Sequence, residues 1–328
     1  MSDALLVVSG LRVQLPTAAG LVTVVDGVDY RIEERQVFGI AGESGSGKTM
    51  SVLALLGLLP PGGVTGGTAQ FGGRDLLQLS KKELRKVSGR EIAMVFQDPM
   101  TSLHPMLSIG VQLTEHTRKS LGLTKRQAQA HAADLLAQVR IPDPTGALKR
   151  YPHQFSGGMR QRIAIAMALT CDPKIIVADE PTTALDVTVQ AGILRLLDHL
   201  RRDKGVSVIL ITHDLAVMSA IADRVSIFYA GRIVESGARE DVLRRPRHPY
   251  THGLLAALPH PGEGSDQPLV AIGGTPPNPS QLPSGCAFHP RCAWASDRSE
   301  SEVPSLVPVG GGRMLACHVD PFRDGDAA

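Results

Sequence analysis

The segment Gly42-Glu43-Ser44-Gly45-Ser46-Gly47-Lys48-Thr49 follows an apolar run and precedes a run of helix-forming residues. It matches the phosphate-binding pattern G-x-x-x-x-G-K-[ST] in the strand-to-helix context that the pattern requires. Eight matching positions make a chance glycine-rich turn a poor alternative. We expect a nucleoside triphosphate to be bound by Gly42, Ser44, Gly45, Ser46, Gly47, Lys48 and Thr49.

The loop has a physical reason to bind phosphate. Its glycines let successive backbone N–H groups face one anion, and the positive end of the following helix adds to the attraction. Lys48 is expected to reach the β- and γ-phosphates as a catalytic residue, and the Thr49 hydroxyl to ligate Mg²⁺. The motif does not indicate which process uses the nucleotide.

A second acidic site follows the apolar run Ile175-Ile176-Val177-Ala178. A strand buried on both faces would carry Asp179 to the edge of a sheet, where it can hold Mg²⁺ directly or through water. Glu180 follows and is the candidate general base for the attacking water. An ordinary strand that ends in exposed acids is the alternative, and the phosphate loop makes it a weak one.

The order of elements predicts the α/β class. Short strands with turns at Gly10 and Gly20 open the chain as a small antiparallel layer, and residues 108–149 are a helical insertion. Helices and strands then alternate to about residue 212, which indicates a mostly parallel sheet covered on both faces. Beyond about residue 243 Pro, Gly and Ser rise, and we expect an irregular extension.

Composition excludes several classes of protein. The 34 basic and 32 acidic side chains give a net charge of +2, which offers no broad electrostatic surface for nucleic acid. The longest apolar runs fall far short of the roughly 20 residues that span a bilayer. No secretory signal is visible at the start. We therefore expect a soluble chain whose membrane role, if it has one, comes from docking onto another subunit.

The segment Phe155-Ser156-Gly157-Gly158-Met159-Arg160-Gln161-Arg162 resembles the signature motif of ABC ATPases at the start of a helix. Ser156 is a good N-cap, and the glycines expose backbone N–H groups to a second anion. The resemblance implies a P-loop NTPase with a RecA-like core. It also implies that Ser156, Gly157 and Gly158 contact the γ-phosphate of ATP held by the opposite subunit of a head-to-tail pair.

Other family positions follow in order. Gln97 resembles the glutamine that senses Mg²⁺ and links to transmembrane subunits, so Thr49, Gln97 and Asp179 are the expected Mg²⁺ ligands. Ala184-Leu185-Asp186 resembles the D-loop, and His213 resembles the catalytic switch histidine. The family usually stacks adenine on an aromatic residue where this chain has Ala19. Leu15 or Val22 are the candidate replacements.

The resemblance divides the chain into domains. The nucleotide-binding domain spans about residues 4–245, with the RecA-like core at about 4–97 and 155–245 and a helical subdomain at about 98–154. Residues 246–328 form a C-terminal extension of the oligopeptide-permease type with a cysteine-containing tail.

Two stretches resemble the peptide and nickel importer branch: Gln97-Asp98-Pro99-Met100-Thr101-Ser102-Leu103-His104-Pro105 and Arg247-His248-Pro249-Tyr250-Thr251-His252-Gly253-Leu254-Leu255. His104 stands where Asn is usual. The resemblance implies an ATPase that drives peptide uptake with a second, non-identical ATPase, two transmembrane permease subunits and an extracytoplasmic substrate-binding protein. It implies a peripheral location on the cytoplasmic face of the membrane.

Three of the four cysteines lie in the tail: Cys286, Cys292 and Cys317. Relatives have four that resemble a [4Fe–4S] site, and Ser299 stands where the fourth is expected. Three thiolates with an unknown fourth ligand could hold a cluster, because such ligands tune rather than abolish binding. The alternative is that the three cysteines are remnants without metal.

Three rival functions remain open from the sequence. Nickel or another small solute is the nearest alternative cargo. A non-transport ABC ATPase of DNA repair or the ribosome is disfavoured, because the insertion is modest and the chain has one cassette. A metal-binding regulatory protein is disfavoured because both catalytic acids are present.

Overall fold

The computed structural model describes residues 4–183, 185–258 and 272–323. The strands in these ranges are β1 (Leu6–Thr17), β2 (Gly20–Ile32), β3 (Val37–Ala41), β4 (Val64–Phe71), β5 (Arg74–Asp75), β6 (Ile92–Val95), β7 (Ile175–Asp179), β8 (Ser207–Thr212), β9 (Arg224–Tyr229), β10 (Arg232–Ala238), β11 (Val307–Pro308) and β12 (Met314–Leu315). The helices are α1 (Lys48–Leu56), α2 (Lys81–Val87), α3 (Pro99–Ser102), α4 (Ile109–Leu121), α5 (Lys125–Gln138), α6 (Pro144–Ala147), α7 (Gly157–Ala168), α8 (Val187–Lys204), α9 (Leu215–Ile221), α10 (Arg239–Arg244), α11 (Pro249–Ala256) and α12 (Asp297–Ser301).

The chain folds as two compact units. The first comprises the described parts of Met1–Ile32, Phe38–Gln78 and Thr212–Ala328, and the second comprises Glu33–Val37 and Leu79–Ile211. The predicted boundary between the core and the helical subdomain, at residues 98 and 154, stays a prediction.

The first unit contains an antiparallel sheet in the order β2-β1-β4-β5. The predicted turn at Gly20 is a hairpin between β1 and β2, where Thr17 pairs with Gly20. The predicted turn at Gly10 is wrong. Gly10 lies inside the long strand β1, at a shift of pairing register between Val8 and Leu11. Its φ of 58° suits a bulge, which bends a strand without ending it.

The same unit carries β3 beside β9 in parallel, followed by antiparallel β10, β12 and β11. The last two strands come from the extension that the sequence predicted as irregular. Glu235 of β10 pairs with Leu315 of β12, so the tail adds two short strands to the sheet. The two strands have two residues each, with a proline in β11, and a glycine-rich turn separates them. Such short strands give almost no alternating pattern, so the sequence does not predict them.

The second unit carries the parallel strands β6, β7 and β8 and the predicted helical insertion. Every residue of β7 and β8 is buried, which explains their continuous apolar runs. The helices begin where the sequence has capping residues. Thr124 caps α5 in a capping box with Gln127, and Ser108 caps α4. The fold class is therefore α/β with parallel strands, as predicted.

No helix among the described residues is long and apolar enough to cross a bilayer.

Candidate functional site

The phosphate loop lies between β3 and α1 in the first unit. Gly42 and Gly47 have φ values of 146° and 97°, which residues with a side chain rarely adopt. A Cβ atom at Gly42 would lie 2.2 Å from the carbonyl oxygen of Phe228, and one at Gly47 would lie 2.5 Å from that of Val24. The loop is thus pressed against neighbouring backbone at both ends, and glycine is required there.

Lys48 is buried and folds back over the loop. Its Nζ donates to the carbonyl oxygens of Gly42, at 2.7 Å, and Glu43, at 2.8 Å. These bonds hold the ammonium group beside the first two residues of the loop, where we expect a phosphate bound by the backbone N–H groups to meet it. Ser46 is also buried, and its hydroxyl has no hydrogen-bond partner. A buried hydroxyl of this kind is expected to find a partner when a ligand binds.

The second unit places the two predicted acids at the end of β7. Asp179 is 6% exposed, the last residue of a wholly buried strand. Glu180 follows with φ of 46°, in the left-handed region that a glutamate rarely adopts. Its N–H donates to Ile211 at 2.8 Å, which ties this backbone to β8. Strain of about 1–3 kcal/mol persists where the surroundings impose it, and such residues cluster at functional sites.

Gln97 and Glu180 meet in this unit. The Gln97 side-chain amide donates to Glu180 Oε2 at 2.8 Å, and the Thr183 hydroxyl donates to the same oxygen at 3.0 Å. The sequence predicted separate roles for Gln97 and Glu180 without predicting this contact, because 83 residues separate them. The carboxylate is therefore oriented by two donors on different segments.

The signature segment and the D-loop each form the beginning of a helix. Ser156 caps α7 by accepting from the N–H of Met159 at 3.4 Å, and Asp186 caps α8 by accepting from that of Val189 at 2.9 Å. A Cβ at Gly158 would lie 2.4 Å from the Val189 side chain, so a glycine is needed where these helices meet. Ser156 and Asp186 are exposed at the surface of the second unit, and Ala184 lies outside the described residues.

His213 lies in the first unit, directly after β8 and before α9. Its side chain is exposed, whereas Asp214 turns back to cap α9 by accepting from the N–H groups of Ala216 and Val217. The position suits a group that meets a ligand at the end of a strand.

Sequence reasoning missed three residues at the phosphate loop. Glu43 occupies a variable position of the motif, and the motif therefore predicts no role for its side chain. Its N–H donates to Tyr250 and its carboxylate is held by Arg291, both from the C-terminal extension. Tyr250 lies in the segment that resembles the importer branch, but nothing in that segment indicates a contact 207 residues away.

Comparison with known proteins identifies the family. The family described as "ABC transporter" matches residues 25–183, and the family described as "Oligopeptide/dipeptide transporter, C-terminal region" matches residues 234–298. The oligopeptide transport ATP-binding protein OppD of Escherichia coli is 46% identical over 96% of this chain and 93% of its own length. The dipeptide transport ATP-binding protein DppD of Bacillus subtilis is 48% identical over 88% of this chain and 87% of its own.

The chain belongs to the ABC transporter ATP-binding protein family. Solved structures agree with that assignment. The dimeric post-hydrolysis state of the ATP-binding cassette MJ0796, bound to ADP and phosphate, is 25% identical, with a TM-score of 0.64 over 71% of this chain and 98% of that one. The predicted P-loop ATPase fold is thus confirmed, and the chain is an ABC-type ATPase that uses ATP and Mg²⁺. The role of each residue named above stays a prediction.

The cysteine tail of this ABC ATPase was the sequence's candidate for an iron–sulfur site. Cys286, Cys292 and Cys317 are half-buried free thiols. Burial raises the pKa of each thiol, and other thiol groups raise the pKa of Cys286 and Cys292 further. No group of three or more His, Cys, Asp or Glu side chains that could hold a metal is present in the described residues.

Ser299, where a fourth cysteine was expected, does not fit a ligand role either. It is buried, its hydroxyl hydrogen-bonds Ser296, and its carbonyl oxygen accepts from the N–H of Cys286 at 2.8 Å. The iron–sulfur hypothesis therefore gains no support from the described residues.

Proposed function

We propose that the chain is the ATP-hydrolysing subunit of an importer for oligopeptides or dipeptides. The observation that carries the proposal is identity of 46% over 96% of the chain with OppD, together with the oligopeptide/dipeptide family match in the extension. DppD proteins at similar identity support the same substrate class.

The subunits that would complete such an importer are proposed as well. They are a second, non-identical ATPase, two transmembrane permease subunits and an extracytoplasmic substrate-binding protein. The chain would then act at the cytoplasmic face of the membrane, held there by the permeases. The absence of a membrane-spanning helix among the described residues is consistent with this arrangement.

The proposed chemistry uses the residues in these roles. The phosphate loop binds the ATP phosphates, with Lys48 on the β- and γ-phosphates and Thr49 and Asp179 on Mg²⁺. Glu180 accepts a proton from the attacking water. His213 contacts the γ-phosphate of the same nucleotide.

Gln97 can orient the general base and ligate Mg²⁺ at the same time. A glutamine amide has one oxygen that accepts and one nitrogen that donates. While its nitrogen donates to Glu180, its oxygen remains available as the expected Mg²⁺ ligand. The hydrogen bond would therefore hold the general base and the metal ligand in a fixed relation.

The opposite subunit would supply the second half of the site. Ser156 and Gly157 are exposed at the start of α7, with Gly158 buried behind them, and Asp186 is exposed at the start of α8. Helix starts attract phosphate. ATP would then favour a closed head-to-tail pair, because only that state lets both subunits contact it.

Uptake measurements test the proposal. A strain that lacks this chain is complemented with the parent or with Lys48→Gln, and uptake of a labelled dipeptide, a labelled tetrapeptide and nickel is compared. Restoration of peptide uptake by the parent alone supports the proposal. Restoration of nickel uptake without peptide uptake would transfer the assignment to the alternative cargo, and restoration of neither would reject import of both.

A co-purification experiment tests the partners. A tagged chain purified in mild detergent should bring down two membrane proteins and a second ATPase. Recovery of this chain alone, from membranes or from the soluble fraction, would contradict the proposed assembly.

The iron–sulfur hypothesis is tested separately. Anaerobically purified protein that holds a cluster would absorb in the visible range and contain iron, whereas the described residues, with no group of three or more metal-binding side chains, predict neither. If the parent binds iron in stoichiometric amount and Cys286→Ser does not, the tail holds a cluster.

A further inference from the structure

The C-terminal extension holds the phosphate loop at Glu43. The Arg291 guanidinium donates to both carboxylate oxygens of Glu43, from Nη1 to Oε2 at 2.7 Å and from Nη2 to Oε1 at 3.0 Å. The Arg291 side chain is 4% exposed and that of Glu43 is 26% exposed, so this is a two-pronged ion pair whose cation is shielded from water. Such pairs fix geometry as well as charge.

A second contact holds the backbone of the same residue. The N–H of Glu43 donates to the hydroxyl of Tyr250 at 2.8 Å, and Tyr250 is wholly buried on α11. The carbonyl oxygen of Glu43 accepts from Lys48 Nζ, at 2.8 Å, and from the N–H of Ser46, at 3.3 Å. The N–H, carbonyl and side chain of Glu43 are therefore all engaged, two of them by the extension.

Arg291 is itself held in place. Its Nε donates to the carbonyl oxygen of Gly273 at 2.9 Å, and its Nη1 donates to the hydroxyl of Tyr229 at 3.3 Å. The Tyr229 ring lies 4.6 Å from that of Tyr250 and 5.2 Å, edge to face, from that of Phe288. The guanidinium thus projects from a packed aromatic cluster, which leaves it little freedom to follow the loop if the loop shifts.

The location of the pair distinguishes it from a contact that only docks the extension. Docking is already provided by Glu235 of β10, which pairs with buried Arg313 and accepts from the N–H groups of Arg247 and His248. Arg291 instead contacts Glu43, the second residue of the loop. The carbonyl oxygen of Glu43 accepts a hydrogen bond from Lys48. A shift of Glu43 would therefore move the ammonium group that is expected to meet phosphate.

We propose that Arg291 is a positioning residue for the phosphate loop, and that it acts through Glu43 to set ATP affinity. The proposal rests on the assignment of the loop as the ATP site. The extension holds the loop in its binding conformation before nucleotide arrives, so the free energy of ordering the loop is not lost on binding. The extension then sets the affinity for nucleotide, in addition to any contact it makes with membrane subunits.

The test uses the full chain with Glu43→Gln, Arg291→Gln, Arg291→Lys and the double variant Glu43→Gln/Arg291→Gln. Binding of a fluorescent ATP analogue with Mg²⁺, steady-state hydrolysis and thermal unfolding are measured on each. The matched control is Arg298→Gln/Glu302→Gln, which removes an exposed ion pair between α12 and the residue that follows it in the same extension.

We expect each glutamine variant to raise Kd and KM for ATP by roughly tenfold, the effect of losing one charge-assisted contact. The value of kcat should change much less, because no reacting atom is touched. The double variant should bind ATP as the single glutamine variants do, since each single change already breaks the same ion pair. Arg291→Lys should recover part of the affinity, because lysine keeps the positive charge but cannot donate to both carboxylate oxygens in the two-pronged geometry. The control should leave every value unchanged.

Parent affinity in both Glu43→Gln and Arg291→Gln would overturn the proposal, and so would effects that multiply in the double variant. If Arg291→Gln unfolds at a much lower temperature, Glu43→Gln decides, because its side chain is 26% exposed and its loss leaves the aromatic cluster intact. A parent chain that binds no ATP would overturn the proposed function and this inference together. A parent that binds and hydrolyses ATP with Glu43→Gln unchanged would overturn this inference alone.

Discussion

Two groups of polar side chains in this ABC ATPase are placed in opposite ways. Gln97, Ser156 and His213, expected to meet nucleotide, are exposed. Glu235 and Arg313, which join the sheet to the extension, are 0% and 9% exposed in their side chains and are bonded to each other. An exposed group is available to a ligand at little cost to folding, whereas a buried charge requires its partner. Changes in the first group should therefore alter turnover, and changes in the second should alter stability.

The largest expected effect is at Glu180. Replacing it with Gln keeps the size of the side chain and removes the general base. Hydrolysis should fall by roughly 10²–10⁴-fold, the usual contribution of a positioned base, while ATP binding and thermal stability stay near those of the parent. Phosphate release and nucleotide titration measure the two quantities.

The control for this change is Glu115→Gln, which removes an exposed carboxylate paired with Lys119 on α4. It should hydrolyse ATP at the parent rate. If Glu180→Gln also hydrolyses ATP at the parent rate, Glu180 is not the general base. If Glu180→Gln instead loses much of its thermal stability, Glu180 acts in folding, as Glu235 and Arg313 do.

The next effect is at Glu235, in the buried group. Its carboxylate accepts from Arg313 and from the N–H groups of Arg247, at 3.0 Å, and His248, at 3.2 Å. Glu235→Gln leaves Arg313 as a buried cation without its anion, and breaking a buried pair in this way costs about 3–5 kcal/mol. Urea unfolding should show this loss in the transition that includes the extension.

Glu240→Gln is the matched change at the surface. Its carboxylate pairs with Arg239 and Arg244 but is 49% exposed, so the expected loss is below about 1 kcal/mol. Equal losses in Glu235→Gln and Glu240→Gln would show that burial does not separate the two groups.

The sequence predicted the residues expected to meet nucleotide far better than the ion pairs that hold the extension. The phosphate loop, Asp179, Glu180 and Ser156 could be found because their chemistry is written in short, contiguous patterns. The pairs of Glu235 with Arg313 and of Glu43 with Arg291 could not, because their partners are 78 and 248 residues apart and no local pattern marks them. The short strands of the tail were missed for a related reason, since pairing with β10 and not local propensity creates them.

A smaller effect is expected at Ser156, where fold and function can be separated. Aspartate and asparagine cap helices about as well as serine, so either should preserve the start of α7. Only Ser156→Asp adds a negative charge at the surface expected to meet phosphate. Its hydrolysis should fall by roughly tenfold or more, which corresponds to about 1.4 kcal/mol, with thermal stability unchanged.

Ser156→Asn is the control and should keep most of the parent rate. Equal rates in the two variants would show that α7 does not face the nucleotide. Equal losses in stability would show that Ser156 acts only as a cap.

A further effect is a pH dependence of stability at His248. Its ring is buried, its Nδ1 accepts from the N–H of Tyr250 at 3.0 Å, and burial lowers its pKa to about 3. The unfolded chain, with a pKa near 6.5, takes up a proton more readily. The stability that the neutral ring contributes is therefore complete above about pH 6.5 and declines as pH falls from there toward 3.

His248→Asn isolates this contribution, because the asparagine oxygen can accept the same hydrogen bond and does not titrate. The difference in free energy of unfolding between parent and variant should shrink by about 2 kcal/mol from pH 7.5 to pH 5, at about 1.4 kcal/mol per pH unit below the unfolded pKa. Urea unfolding at both pH values measures it, and carboxylates that titrate in both proteins cancel. If the difference in free energy of unfolding is the same at both pH values, the His248 ring takes up its proton as readily in the folded core as in the unfolded chain. The folded core would then tolerate a buried positive charge at His248.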